Sequence, residues 1–373
     1  MLEGVVPFPR EFARRYREKG YWQDKSLAEE FKAVFENYAD RTAIIDGEIC
    51  LTYRQLDELS TNLALNLLDL GFEPLDRVVP QLPTIKEFPI LYFALQKIGC
   101  IPIAALSTHR YAEISQFVEL SGAVACVTPD RHRDFSFTDM ITRIRGESTT
   151  LKYAIVFGEA PDGFVSLTEL IERPATRKQT ELDALQIDPT DPAVFQLSGG
   201  TTGIPKLIPR THNDYAYNSR TATEVTEVDG DSCLLLVLPI AHNLPLACPG
   251  MQGFMLRGGR IVLSTSARAE DVFRLVQEHR VTHIHLVPAT LIGWINDPTI
   301  KNYDLSSLRM IQSGGQRLQP EVRIRTSELI PSAFVQENFG MSEGVIMFIR
   351  KGDSEDVRLN TSGRPICPDD PQA

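Results

Sequence analysis

Cysteine is sparse in this 373-residue chain, and what there is lies scattered. Cys50, Cys100, Cys126, Cys233, Cys248 and Cys367 form no CxxC pair and no Cys/His cluster at zinc spacing. That excludes a disulfide scaffold and a zinc module, and it fits reduced thiols in a cytoplasmic protein. Positive charge is in deficit. The 38 Lys and Arg against 49 Asp and Glu leave a net charge of −11. Nucleic acid and an anionic membrane are therefore disfavoured as main partners, while a local basic pocket for an anion stays possible. Long hydrophobic runs are absent too. The N-terminal stretch MLEGVVPFPREFARRYREKGYW has no apolar core of signal-peptide length. The most apolar segment, Cys233 to Leu256, is interrupted by His242, Asn243, Pro245 and Pro249, which argues against a membrane span. There is no short internal repeat, no low-complexity tract, no GxGxxG and no Walker A loop.

What is present is an ordinary globular composition, 43% hydrophobic and 23% charged, long enough for two or three packed lobes. Residues 1–40 read as an arm and an amphipathic helix, with Leu27, Phe31, Val34 and Phe35 at helical spacing. Thr42 to Ile45 and Ile49 to Leu51 read as a hairpin across Asp46-Gly47. A helix from Tyr53 to about Leu70 follows. Strand-like runs then alternate with helical ones. The strands are Arg77 to Val79, Ile101 to Ala105, Ala123 to Val127, Tyr153 to Phe157, Cys233 to Pro239, Arg260 to Leu263, His283 to Val287, Arg309 to Gln312 and Ala333 to Glu337. Repeated β-α-β order predicts α/β architecture with parallel or mixed sheets covered by helices. Arg173 to Pro192 is polar, has no clear periodicity and reads as a connection. The last residues, GRPICPDDPQA, read as a linker.

One stretch stands apart: Gln196 to Tyr215, QLSGGTTGIPKLIPRTHNDY. Gly199, Gly200 and Gly203 let the backbone approach an anion, Ser198, Thr201 and Thr202 add hydroxyls, and Lys206 adds a point charge. The pattern reads as a phosphate-handling loop. His242-Asn243 follows a strand, where α/β proteins place ligands, although Asn243 before Pro245 would also serve as a helix cap. Glu343, after a Gly-x-Ser turn, suits Mg²⁺. Gly314 and Gly315 would let a ligand pass close to backbone or simply make a strand-to-helix turn. His283 and His285 alternate on one strand; with no third ligand near, core residues are the plainer reading than a metal site. Asp130 to Asp134 reads as a solvated loop.

SGGTTGIPK resembles the signature loop of the adenylate-forming superfamily, with Glu337 to Gly344 (ENFGMSEG) similar to a later motif and Leu95 to Ala105 (LQKIGCIPIAA) to an upstream one. VPFPREFARRYREKGYW, KLIPRTHNDY, PIAHNLPLACPG, DLSSLRMIQSGG and GRPICP further resemble the stand-alone aryl-acid AMP ligases of siderophore assembly. The resemblance implies two doubly wound α/β lobes of an N-terminal domain, one from residues 1–55 and 193–366 for nucleotide and aryl acid, the other from 56–192, then a linker at 367–373. It implies ATP and Mg²⁺, attack of an aryl carboxylate on the α-phosphate, and transfer to an aryl or peptidyl carrier protein or CoA. Lys206, His242 and Glu343 take the catalytic roles by carry-over, with Glu343 and Thr202 for the metal. The loop residues, Gly315, Gln316, Asn338, Phe339, Gly340, Met341 and Ser342 would meet ATP, with Phe339 against adenine and Ser342 near the α-phosphate. His242, Asn243, Leu244, Cys248, Ser313, Gly314, Gly315, Asn338 and Ile346 would line the aryl pocket.

Cys248 favours salicylate, because dihydroxybenzoate enzymes typically place Ser there to meet the 3-hydroxyl. Leu244, Ser313 and Asn338 depart from the usual aromatic, Val and apolar residue. Those departures keep 2,3-dihydroxybenzoate, 3-hydroxypicolinate and 3-hydroxyanthranilate as alternatives. The resemblance also implies a C-terminal domain bearing a catalytic lysine, preceded by a ribose-binding Asp, with no counterpart in these residues; poor turnover by this chain alone is expected. A homodimer stays open. A kinase would need a Walker or kinase motif, and a degenerate binding module sits badly with intact Lys206 and Glu343.

Overall fold

The computed structural model describes residues 2–132, 134–198 and 205–368. Contacts divide the chain into two units, Met1–Asp40 with Tyr53–Tyr217, and Arg41–Thr52 with Asn218–Ala373. This differs from the expected lobes. Residues up to Asp40 and the hairpin that carries the phosphate loop belong to the first unit rather than to the second.

The first unit is built on a five-stranded parallel sheet in the order Ile101–Pro102, Arg77–Pro80, Ala125–Pro129, Tyr153–Phe157, Val165–Ser166. The expected strand at Ile101 to Ala105 is shorter than its apolar run, because past Pro102 the chain leaves the ladder and makes a single bridge, Ile103 to Phe195. That bridge docks the antiparallel hairpin Pro192–Leu197 and Leu207–Thr211 onto the sheet edge. Ile101, Ile103, Phe117, Phe137 and Phe195 share one buried cluster. The polar connection before the hairpin is firmly tied. Asn62 Nδ2 donates to the carbonyls of Ile171 and Arg173, Asn66 Nδ2 to those of Leu170 and Arg173, and Arg177 pairs with Asp69. A short helix, Gln179–Asp183, interrupts it.

A clasp joins the N-terminal residues to the end of that hairpin. Ser26 caps the helix Leu27–Asn37 through a capping box with Glu29. The first N–H of that helix, on Leu27, donates to His212 Nδ1 at 3.1 Å. Asp24 and Asn213 exchange two hydrogen bonds of 2.9 Å, and Tyr21 stacks on Tyr217. The expected amphipathic face is as read: Leu27, Phe31, Val34 and Phe35 are all buried.

The second unit carries a nine-stranded sheet, Arg364–Pro365, Ile346–Phe348, Phe334–Gly340, Met310–Ser313, His283–Leu286, Cys233–Leu236, Arg260–Leu263, Thr42–Asp46, Ile49–Thr52. Its centre is parallel and its edges are antiparallel. The expected hairpin at Asp46-Gly47 forms one edge, with Gly47 at φ 58°. One face of the sheet is apolar: Leu235, Val262, Ile284, Leu286, Ile311 and Val335 pack with Val272, Phe273, Leu291 and Trp294 from the covering helices. The opposite face is unusually polar. His283 Nε2 lies 3.0 Å from the Thr226 carbonyl, Gln312 Nε2 donates to Gln336 Oε1, and Gln336 Nε2 donates to the Ile349 carbonyl. His283 and His285 are 1% and 0% exposed and lie in the interior, as core residues do. No described helix is long and apolar enough to cross a membrane. Of the Asp130 to Asp134 run, Arg131–His132 forms a two-residue strand with Phe135–Ser136.

Burial pushes the His212 imidazole from 6.5 down to about 4 and the His283 imidazole also to about 4. The folded state holds them neutral, so the unfolded chain takes up protons first on acidification. Their contribution is complete above pH 6.5 and is lost as pH falls toward 4. Urea titrations between pH 7 and 4.5 are expected to show a falling midpoint, with His212 alone accounting for up to roughly 3 kcal/mol. His212→Asn keeps an acceptor for the Leu27 N–H without a titrating ring and should make that fall shallower; an unchanged acid limb would contradict the role given to the clasp.

Candidate active site

The phosphate-like loop hangs from the neck of the Pro192–Leu197 and Leu207–Thr211 hairpin. Its last ladder pair is Leu197 and Leu207. Just beyond, Ser198 N donates to the Lys206 carbonyl at 3.1 Å and Lys206 N donates to Ser198 Oγ at 3.0 Å. The Ser198 hydroxyl thus closes the neck as an acceptor and keeps its own proton to donate. The Lys206 ammonium is exposed. Gly199, Gly200, Thr201, Thr202 and Gly203 lie outside the described residues.

All other expected site residues belong to the second unit. After the Cys233–Leu236 strand, His242 opens the five-residue helix Asn243–Ala247. Its backbone forms the N-cap, and its side chain makes no capping bond. The imidazole keeps a solvent-accessible face, while the surrounding mass of protein disfavours its charged form and lowers its pKa. Asn243 is buried. The chain then turns sharply: a Cβ on Gly250, at φ 48°, would overlap the Pro245 carbonyl.

Cys248, Ile346 and Phe348 form a small buried cluster with Leu244, Val225 and Ile366 against it. Three residues expected in the aryl pocket, Leu244, Cys248 and Ile346, are therefore neighbours although 98 residues separate Cys248 from Ile346 (346 − 248). Burial of Cys248 is nearly complete at 4% exposure, and Asn218 Nδ2 donates to its Sγ at 3.2 Å and to the Ala247 carbonyl at 2.7 Å. Asn218 was not read from the sequence as a site residue. The available signal was an amide on an otherwise mixed helix, and nothing local linked it to a thiol 30 positions on.

Asn338 packs on Gly314, where any Cβ would overlap its Oδ1. Gln312, Gly314, Gln336 and Asn338 therefore share the polar face of the sheet. Strand alternation corrects one expectation here. Ser313 lies between Gln312 and Gly314, pairs in register with Glu337 and turns to the opposite face. Its hydroxyl is fully buried without a partner among the described residues, so its side chain does not join Asn338 in lining the pocket. Gly315, at φ 83°, and Gln316 follow on the exposed turn.

Phe339, the residue after Asn338, faces away from it and is 44% exposed, and Met341 is 41% exposed. Gly340 and Ile346 pair in the antiparallel ladder, with a Gly340 Cβ position 3.7 Å from Ile346 Cγ1. The turn Met341, Ser342, Glu343, Gly344 is closed by Gly344 N donating to the Met341 carbonyl at 3.1 Å. Glu343 is exposed and has no protein partner among the described residues. A hard carboxylate of this kind, free of competing cations, fits Mg²⁺, which takes one or two carboxylates and fills its other positions with phosphate oxygens and water.

Beneath this strand lies an ion cluster the sequence reading missed. Glu337, 1% exposed, accepts from Arg317 Nη1 at 2.9 Å, from Arg323 Nη2 at 2.5 Å and from Ser362 Oγ at 3.1 Å. Arg317 also donates to the carbonyls of Leu359 and Thr361. The cluster fixes the strand that carries Asn338 and Phe339 to residues 359–362. Burial lowers the Arg323 pKa, against the pull of Glu337.

Residues 31–371 match the family model described as AMP-binding enzyme, and the chain belongs to that family. A 2,3-dihydroxybenzoate-AMP ligase from Bacillus subtilis is 38% identical over 370 residues, covering 99% of this chain and 67% of that protein. A salicyl-AMP ligase / salicyl-S-ArCP synthetase from Mycobacterium tuberculosis is 38% identical over 376 residues, covering 99% of this chain and 65% of that protein. The apo structure of MbtA from Mycobacterium smegmatis superposes with a TM-score of 0.88 at 37% identity, covering 98% of this chain and 66% of that one. The chain thus spans about two thirds of the length of the relatives it matches.

Arg323→Leu strands the Glu337 carboxylate with half its neutralising charge gone. It is expected to cost about 3–5 kcal/mol in denaturant unfolding, as for other broken buried pairs. A loss under about 1 kcal/mol would mean that Arg317 alone satisfies Glu337.

Proposed function

We propose that this chain binds ATP and a 2-hydroxyaryl carboxylic acid, salicylate in the first place, for formation of an aryl adenylate. The observation that carries the reading is the convergence of Leu244, Cys248 and Ile346 in one cluster, with Ile346 paired to Gly340 at the carboxyl end of the parallel strand Phe334–Gly340. This is the position at which open α/β sheets hold ligands. The relatives named for salicylate and dihydroxybenzoate support the same class of acid.

In this reading the aryl carboxylate oxygen attacks the α-phosphorus of ATP. The bond to the bridging oxygen breaks, and pyrophosphate leaves with that electron pair. The chain's part is to position the two reactants and offset phosphate charge. Lys206 presents an ammonium at the loop neck, and Ser198 has a hydroxyl proton to donate. Phe339 offers an exposed ring for the adenine, with Ser342 close to the α-phosphate. Glu343 would hold Mg²⁺, with Thr202 as its second ligand, and the ion would screen phosphate charge. Asn243 and His242 orient the 2-hydroxyl and carboxylate. A thiol, from a carrier-protein phosphopantetheine or CoA, then attacks the acyl carbonyl and AMP leaves. The reading places this chemistry in the cytoplasm.

The Asn218 amide sharpens the role of Cys248. It already donates to Sγ, so a serine there would accept from Asn218 and turn its own O–H toward the ring. Thiol sulfur does this poorly. Cys248→Ser is therefore expected to raise the affinity for 2,3-dihydroxybenzoate relative to salicylate by about tenfold in calorimetric titration; an unchanged ratio would remove residue 248 from the pocket.

The reading itself is tested by titrating ATP with Mg²⁺, and separately salicylate, into the chain. Both should bind. Glu343→Gln should weaken ATP in the presence of Mg²⁺ by about tenfold or more and leave salicylate unaffected. Binding of neither ligand would end the proposal.

A further inference from the structure

A cavity of about 330 Å³ opens between the helices Pro320–Leu329 and Glu355–Asn360 and the first residues of the strand Phe334–Gly340. The aryl cluster lies at the other end of that strand. The volume falls in the range of roughly 300–1,000 Å³ that small-molecule sites occupy. Arg323 and Arg358 both line it. Arg323 is 5% exposed, and its Nη2 is spent on Glu337. Its Nε and Nη1 are buried and find no acceptor among the described residues. These N–H groups have given up water without return, and native folds leave few such groups. Glu337 has little more to offer them, because Arg317 shares it. Arg358 makes no ion pair among the described residues, and its charge is near enough to disfavour that of Arg323. The cavity thus has surplus positive charge on its buried side, which suits a carboxylate held by charged N–H donors.

The rest of the lining is of two kinds. Glu328 and Glu355 are exposed, carry negative charge at the mouth and pair with no cation among the described residues. Ile324, Phe334 and Leu359 supply an apolar wall, with Ile324 47% exposed. A bare inorganic anion would leave that wall unused and face both glutamates. A fatty acid would use the wall and the guanidiniums but still meet the glutamates with nothing to give them. A molecule with a carboxylate, an ammonium and an apolar body answers all three parts.

We propose that this cavity binds a free α-amino acid with an apolar side chain. Its carboxylate meets Arg358 and Arg323, its ammonium meets Glu328 and Glu355, and its side chain packs on Ile324, Phe334 and Leu359. The site is separate from the aryl-acid reading and stands or falls without it.

The test is calorimetric titration of the chain with leucine and with phenylalanine. For each, the acid that lacks the amino group and the amine that lacks the carboxylate serve as controls with the same apolar body. At least one amino acid should bind with a Kd of about 1 mM or tighter, and both of its controls should bind about tenfold or more weakly. Arg358→Gln, which leaves the Arg323 and Glu337 pair in place, should weaken the amino acid by about tenfold, and so should Glu355→Gln. Saturating salicylate should change nothing. The wild-type comparison decides the matter even if a variant does not fold. Binding of neither amino acid, a control that binds as tightly as its amino acid, or an affinity that survives Arg358→Gln overturns the inference. Competition by salicylate would put the amino acid in the aryl site and overturn it as well.

Discussion

A strand can show only every second residue to one side of its sheet, and the candidate site depends on that constraint. In the second unit, six parallel strands run with one face apolar and the other polar. The apolar face is a conventional core. The polar face carries His283, His285, Gln312, Gln336 and Asn338 in register, and the glycine at position 314 extends it to the strand ends. Because register and alternation are fixed together, moving one strand by a single residue would exchange Asn338 for Phe339 and Gln312 for Ser313. The buried Arg317, Glu337 and Arg323 cluster opposes such a slip from the other face, since Glu337 reaches both arginines only in this register.

The same alternation separates two tasks on one short strand. Asn338 turns inward beside Gly314, while Phe339 turns outward with a largely open ring. One residue is thus suited to reading a ring substituent and the next to stacking on a base. The turn that follows presents Glu343 to solvent without a protein cation to neutralise it. A carboxylate left unpaired costs nothing in water and is available to a divalent ion. The loop neck of the first unit follows the same economy, with Ser198 spent on closing the hairpin and Lys206 left exposed.

Most of the fold was legible in the sequence, and the reasons are local. The strands at Tyr153–Phe157 and Arg260–Leu263 and the helix at Tyr53–Asp69 fall where apolar runs and periodicity put them. Boundaries moved where a proline or a turn cut the ladder short, as after Pro102. The short helix Asn243–Ala247 escaped because five residues carry no period, and Glu355–Asn360 for the same reason. At the candidate site, small clusters of unusual residues singled out Leu244, Cys248 and Ile346, and the fold brings those three together. Ser313 was misplaced because adjacency to Gly314 in the chain says nothing about which side of the sheet a side chain takes. Asn218 and Arg323 were not recognised because their partners appear only when distant strands and helices meet. The grouping of residues 1–40 with the hairpin was hidden likewise, since the His212 and Asn213 clasp joins positions about 185 residues apart.

The central claim is that one chain brings together recognition of an aryl acid and of adenosine phosphate. A stable sulfamate mimic of salicyl-adenylate joins both parts in a single ligand and needs no turnover. Its effect on the thermal unfolding of this chain is the most direct measurement. The account predicts a one-to-one complex that raises the melting temperature by several degrees more than salicylate and adenosine supplied together at the same concentration, because linking the two parts removes one association cost. No rise beyond that of the separate parts would contradict it.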